Sequence, residues 1–274
     1  MRFLACNYLL ESLELLNEKA VKFDYFKYPS LFYDVQQTLP EFIAKLERIV
    51  KVKPVLFHGL FPNQPNICNP RFQESFNSAA VKEIYVRSCT PGISFHFDGA
   101  AVDVGREELV KTAITNVLYL KEMFAEAQFV AIENPENRPN PWLVDPEVIS
   151  EVIQATKTSL LLDISHANRS AGERGETLWE YISKLPMDHI QELHLNGWVI
   201  HNQQQMGHLK IQAELYEFIK KLINDFPVKV VTLEYGREID KLGAGCPLVN
   251  VHQTNPKAKE EIREQLLRLA EMVY

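Results

Sequence analysis

The sequence predicts a (β/α)₈ barrel, and three observations carry that prediction. Short apolar runs alternate with amphipathic helical stretches from one end of the chain to the other. Most of these runs are apolar without a period of two, the pattern of parallel strands covered on both faces. The chain has 274 residues, an ordinary size for one such barrel, which takes about 250 residues.

The elements follow in order. Arg2–Asn7 is an apolar run, and "YLLESLELLNEKA" after it is broken by Glu11 and Glu14, so the pair reads as a strand and an amphipathic helix, not a signal peptide. Phe23–Tyr28 and Pro54–His58 are the second and third runs. Between them "LPEFIAKLERIVKV" places Phe42, Ile43, Leu46, Ile49 and Val50 on one helical face. Ile93–Phe97 is the fourth run. The helix after it, "REELVKTAITNVLYLKEMF", has Asp103, Glu107 and Glu108 near its start, where acidic side chains favour the helix dipole. Gln128–Glu133 is the fifth run, and Asp145 followed by Pro146 caps the next helix. Ser159–Asp163, Ile190–Leu195 and Lys229–Glu234 complete the set of eight. The polar stretch "NGWVIHNQQQMGHLKI" after the seventh run reads as a loop, with a helix beginning near Lys210. Asn255 and Pro256 open a closing helix. A doubly wound open sheet is the competing architecture, but "ACNYLLES" supplies no Gly-rich turn after the first strand. No linker or repeat divides the chain, so residues 1–274 read as one domain.

Composition excludes some partners. A net charge of −7 without any run of Lys or Arg argues against nucleic acid. No stretch reaches the roughly 18 uninterrupted apolar residues that a transmembrane helix needs. Cys6, Cys68, Cys89 and Cys246 are scattered, with neither zinc spacing nor a disulfide framework, so the cytoplasm is the expected compartment.

In such a barrel the active site forms at the C-terminal ends of the strands. The third strand ends in His58, the fourth runs into His96 and Asp98, and the fifth ends in Glu133 and Asn134. The sixth ends in Asp163 with His166 just beyond, the seventh in Glu192, His194 and Asn196, and the eighth in Glu234. Taken singly these residues have plainer readings, since an Asp at a strand end is commonly a helix cap. By the same reasoning His189 reads as structural, His252 as a surface residue, Glu136 and Asn137 as turn residues, and Tyr8, Tyr28 and the tryptophans as core. Six consecutive strands ending in His, Asp or Glu are a different matter. Such groups packed at an apolar mouth are costly unless cations neutralise them. Mixed His, Asp and Glu donors suit zinc, iron or manganese, and their number predicts two or more ions. The polar loop adds His201 and His208, of which His208 is favoured because it adjoins a regular element.

The order of these motifs, "HG", "EN", "LLDISHANRSA", "ELHLNG" and a final "LE", resembles the DUF692 family over roughly residues 54–236. These are the multinuclear non-heme iron-dependent oxidative enzymes, a branch of the xylose-isomerase-like barrels. The resemblance implies that His58, His96, Glu133, Asp163, His166, Glu192, His194 and Glu234 hold two or three iron ions of mixed ferrous and ferric state. It further implies O₂-dependent oxidation of a cysteine or another side chain of a ribosomally made peptide, often delivered by a leader-binding partner protein. Glu133, Glu234 and Asp163 are then the expected catalytic carboxylates, with Asn134, Asn168, Asn196 and Asp98 orienting the ligands. Three departures mark a divergent member. Phe95 stands where the family carries an Asp before the fourth-strand His, with Asp98 two residues after that His. Trp198 replaces a second His, and Met206-Gly207-His208 replaces a "D-x-H". Two other readings stand beside this one. One is a metal-dependent sugar isomerase or epimerase in which Glu133 and Glu234 shuttle a proton, and the other is a barrel whose site has decayed. A nuclease of the trinuclear-zinc type is disfavoured by the acidic chain.

Overall fold

The structure, a computed structural model, describes residues 1–28, 38–59, 66–136, 138–201, 204–237 and 253–274. Eight parallel strands close into a barrel, as the sequence predicts. They are β1 (Phe3–Asn7), β2 (Tyr25–Tyr28), β3 (Val55–His58), β4 (Gly92–His96), β5 (Phe129–Glu133), β6 (Ser159–Asp163), β7 (Ile190–Leu195) and β10 (Val230–Leu233). Each pairs with its neighbours around the ring, and β10 closes it by pairing with β7 on one side and β1 on the other. Each predicted strand lies within two residues of its observed position.

Helices cover the outside, among them α1 (Leu10–Asn17), α2 (Leu39–Val50), α4 (Ser78–Ser88), α5 (Arg106–Met123), α6 (Pro146–Thr156), α9 (Leu215–Asp225) and the closing α10 (Pro256–Val273). The short α3 (Phe72–Ser75) and α8 (Leu178–Ile182) go beyond the simple alternation. Outward-facing strand residues such as Leu4, Cys6, Phe26 and Phe57 join one large core with the helices. The opposite strand face fills the barrel. At its N-terminal end Ala5, Leu56 and Val230 pack together with Phe3, Tyr25 and Phe129. One step further along the same faces come Lys27, Ser94, Glu192 and Thr232, all buried. Above its base the interior is therefore no longer wholly apolar.

Two local features position the mouth. Asp163 ends β6 and at once caps α7 (Ile164–Glu173), its Oδ1 accepting from the backbone N–H groups of Ser165 (2.7 Å) and His166 (2.9 Å). The stretch after β7 is not the loop that the sequence suggests. It is an antiparallel ribbon of β8 (Gly197–His201) and β9 (Gln204–Leu209), and the next helix begins at Leu215 rather than near Lys210. A two-stranded ribbon outside the barrel covers little core, so it carries no strong apolar signature. Gly197 is required at its base: a Cβ there would lie 1.9 Å from the Lys210 carbonyl oxygen. Among the described residues no helix is long and apolar enough to cross a membrane.

Candidate metal centre

Register brings the strand-end residues together. His96 pairs with Glu133 across β4 and β5, and Asp163 pairs with His194 across β6 and β7. Their side chains form three groups whose donor atoms lie within 4.8 Å of one another: His58, His96 and Glu133; Glu133, Asp163, His194 and Glu234; and Asp163, His166 and His208. Glu133 and Asp163 each belong to two groups, so the three are joined into one cluster.

Glu133 Oε2 lies 3.1 Å from His58 Nε2 and 3.0 Å from His96 Nε2, and the two imidazole nitrogens are 3.2 Å apart. Its other oxygen lies 3.4 Å from His194 Nδ1, which is 3.1 Å from Glu234 Oε2. Yet Glu133 Oε2, His194 Nδ1 and Glu234 Oε2 are buried without a hydrogen-bond partner. Buried polar atoms are ordinarily satisfied. Here lone pairs from separate strands face a common region, a donor set that fits cations.

Electrostatics follow from this packing. Burial raises the Glu133 carboxyl, but His58 and His96 outweigh it and hold it well below the ordinary carboxylate range. Burial also depresses His58 to about 4, which keeps its imidazole neutral and able to donate a lone pair. Burial pushes Asp163 up, and three N–H donors oppose it by stabilising the ionised form, the third being Asn196 Nδ2 on Oδ2 at 2.9 Å. His166 Nδ1 lies 3.0 Å from the Asn134 carbonyl, which leaves Nε2 for a cation.

The remaining candidates are placed differently. Glu192 lies below the cluster and in none of its groups: its carboxylate takes Lys27 Nζ at 2.6 Å, Thr232 Oγ1 at 2.7 Å and His194 Nε2 at 3.2 Å. Asn196 orients Asp163 and also accepts the His208 backbone N–H at 2.8 Å. Asn134 bonds the Asp163 backbone on both sides, N–H and carbonyl. Asn168 holds Gln205 of the ribbon, not a donor of the cluster, and Asp98 pairs with Arg138 at 2.8 Å outside it. His189 sits in a 3₁₀ turn before β7 (Met187–His189). Phe95 faces the helices against Phe124, so the position where the family's additional acid was expected points away from the barrel axis. Asn137, Cys246 and His252 lie outside the described residues.

Sequence reasoning missed Lys27. A lysine in the strand "YFKY" was the available signal, but its partners, Ser94 and Glu192, are 67 and 165 residues away.

The model of the family described as RiPP precursor modification enzyme MbnB/TglH/ChrH matches residues 104–246, just over half of the chain. This chain belongs to that family. The matched segment carries Glu133, Asp163, His166, Glu192, His194, His208 and Glu234, while His58 and His96 precede it. Among curated relatives, UPF0276 protein VP3015 of Vibrio parahaemolyticus is 25% identical over 143 residues, and the chain spans about half (49%) of that relative's length. Solved structures share the fold. D-psicose 3-epimerase of Clostridium cellulolyticum, solved with D-tagatose, superposes with a TM-score of 0.64 at 12% identity, covering 100% of this chain and 99% of its own. Endonuclease IV of Thermus thermophilus gives 0.60 at 13%, covering 98% and 99%.

Proposed function

We propose that this protein is a multinuclear iron enzyme that uses O₂ to oxidise a side chain, of the cysteine type, in a ribosomally made peptide. The observation that carries the reading is the sharing of Glu133 and Asp163 among three donor groups, which builds adjacent cation positions into one cluster. Iron held there by His58, His96, Glu133, Asp163, His166, His194, His208 and Glu234 would supply the redox chemistry with O₂ that side chains lack.

The protein's own contribution is orientation and access. Asn196 and the first turn of α7 fix the Asp163 carboxylate, and the Asn134 carbonyl fixes the His166 ring. His96 has a side chain 37% exposed, against 9% for His58 and 16% for His208, so the substrate side chain approaches beside His96. The buried walls keep bulk water from the inner donors. The peptide is presented either directly or by a leader-binding partner protein.

Anaerobic purification followed by metal analysis and O₂-uptake measurement with a Cys-containing peptide tests the proposal. Two or three irons per chain with O₂ consumption is the expected result. A protein that binds only zinc or manganese and consumes no O₂ overturns it. Solvent deuterium entering a keto-sugar in its presence would mark the isomerase alternative instead.

A further inference from the structure

One lysine beneath the cluster connects two of its groups. Lys27 on β2 is 2% exposed, and its Nζ donates to Glu192 Oε2 at 2.6 Å and to Ser94 Oγ at 3.1 Å. Each acceptor meets a histidine of the cluster on the side away from the mouth. Ser94 Oγ lies 2.7 Å from His58 Nδ1, and Glu192 Oε1 lies 3.2 Å from His194 Nε2. His58 belongs to the group with His96 and Glu133, while His194 belongs to the group with Asp163, Glu234 and the same Glu133. The two rings present opposite nitrogens: His58 turns Nε2 to Glu133, and His194 turns Nδ1.

A buried ammonium is costly unless paired, and an ion pair that served stability alone is commonly replaceable by apolar residues without loss. This pair does not end with itself, because both acceptors of Lys27 continue to an imidazole. The partner that an imidazole finds on one nitrogen decides which tautomer it adopts and which nitrogen is left to bind a cation.

We propose that Lys27 is a positioning residue that sets two histidines of the centre at once. Its bond to Ser94 occupies one lone pair of the hydroxyl and orients the other to accept Nδ1–H of His58. Its bond to Glu192 anchors the carboxylate that accepts Nε2–H of His194. Both rings then direct a lone pair toward the shared carboxylate of Glu133. This inference rests on the metal-binding reading above and adds to it the residue that coordinates two of the donor groups from below.

The experiment uses the full-length protein, stripped with a chelator and titrated with Zn²⁺ as a diamagnetic probe, with ¹⁵N NMR of the imidazoles before and after loading. The double variant Lys27→Met with Glu192→Gln removes both charges together, so that no uncompensated ion is left inside. It is expected to lose Zn²⁺ affinity by about 10- to 100-fold, the usual effect of disturbing ligand-orienting bonds, with the ¹⁵N shifts of both His58 and His194 altered. Ser94→Ala is expected to alter His58 and leave His194 unchanged. Unchanged affinity and unchanged shifts at both histidines in the folded double variant overturn the proposal, as does Ser94→Ala with His58 unaffected. If the double variant does not fold, Lys27→Arg, which keeps the buried charge and displaces its donor, is read in the same spectra: altered shifts at both His58 and His194 support the proposal, and unchanged shifts at both overturn it. Wild-type protein that takes up neither Zn²⁺ nor Fe²⁺ refutes the metal reading, which is a separate outcome from metal uptake that ignores Lys27.

Discussion

Two neighbouring layers of the barrel interior are built from similar side chains and balanced in opposite ways. In the lower layer, Lys27, Ser94, Glu192 and Thr232 satisfy one another: the ammonium has two acceptors, and the carboxylate takes Lys27, Thr232 and His194. In the upper layer, Glu133, His194 and Glu234 carry buried atoms that no hydrogen bond reaches. Both layers are buried and both contain carboxylates, so burial of an acid does not by itself identify a cation site. The distinguishing mark is whether the structure supplies the countercharge. Lys27 supplies it below, whereas above, among the described residues, only histidines face the carboxylates.

The largest effect tests the self-sufficiency of the lower layer. Lys27→Met alone leaves Glu192 buried with its cation removed and is expected to destabilise the chelated protein by about 3–5 kcal/mol. Adding Glu192→Gln should recover most of that loss. Urea unfolding with EDTA present measures both, and equal stabilities for the single and double variants would show that the two charges are not coupled.

The upper layer should respond to cations where the lower does not. At a free metal concentration 100 times the Kd, a single bound ion adds about 2.7 kcal/mol to wild-type stability. Thermal melts with and without chelator check this, and identical curves would mean that no cation binds the folded state.

Acid should act on both layers. Burial raises the Glu192 carboxyl, but Lys27 and His194 outweigh it and hold it well below the ordinary value of 4.5. Its folded-state pKa is thus lower than its unfolded one, so its contribution is complete above about pH 4.5 and is lost as the pH falls further. Glu133 and Glu234 are shifted in the same direction. Urea midpoints of the chelated protein between pH 7 and pH 3 should therefore fall below the carboxylate range, and a flat profile would contradict the shared direction of these shifts.

The smallest effect depends on metal. Asn caps a helix about as well as Asp, so Asp163→Asn should move the stability of the chelated protein by no more than about 1 kcal/mol, because the attraction of His166 is lost while repulsion from Glu234 and Glu133 is relieved. In metal-replete buffer the same change should lower both metal content and melting temperature. Metal analysis beside the melts separates the cases, and unchanged metal content would reduce Asp163 to a helix cap.

How much of this was legible differed from element to element for physical reasons. The eight barrel strands could be read because each is a short apolar run between polar helices, and a run such as Leu160–Leu162 is buried completely in the fold. The ribbon of β8 and β9 was invisible because it lies outside the barrel wall and needs no apolar face. At the site, donors were legible as His, Asp or Glu at a strand end. Glu192 satisfies that rule, yet it sits one layer below His194, where Lys27 meets it. Two residues along a strand keep the same face and change the layer. Only the distant partner reveals which layer a side chain occupies. Asn168 and Asp98 had the right chemistry close to the right place, but α7 turns Asn168 toward Gln205, and Arg138 draws Asp98 aside.

The donors of the upper layer are drawn from residues 58 to 234, so the mouth is assembled only when the barrel closes, with its carboxylates already crowded. A proton on His166 meets part of that need. Burial lowers His166, but Asp163 and then Glu133 outweigh it and lift it to about 9. A cation that takes the ring nitrogen of His166 would therefore have to displace a proton that these carboxylates hold there. Loading of that position would be an ion exchange. Its heat would depend on the ionisation enthalpy of the buffer, and its affinity would rise with pH until that ring is already bare.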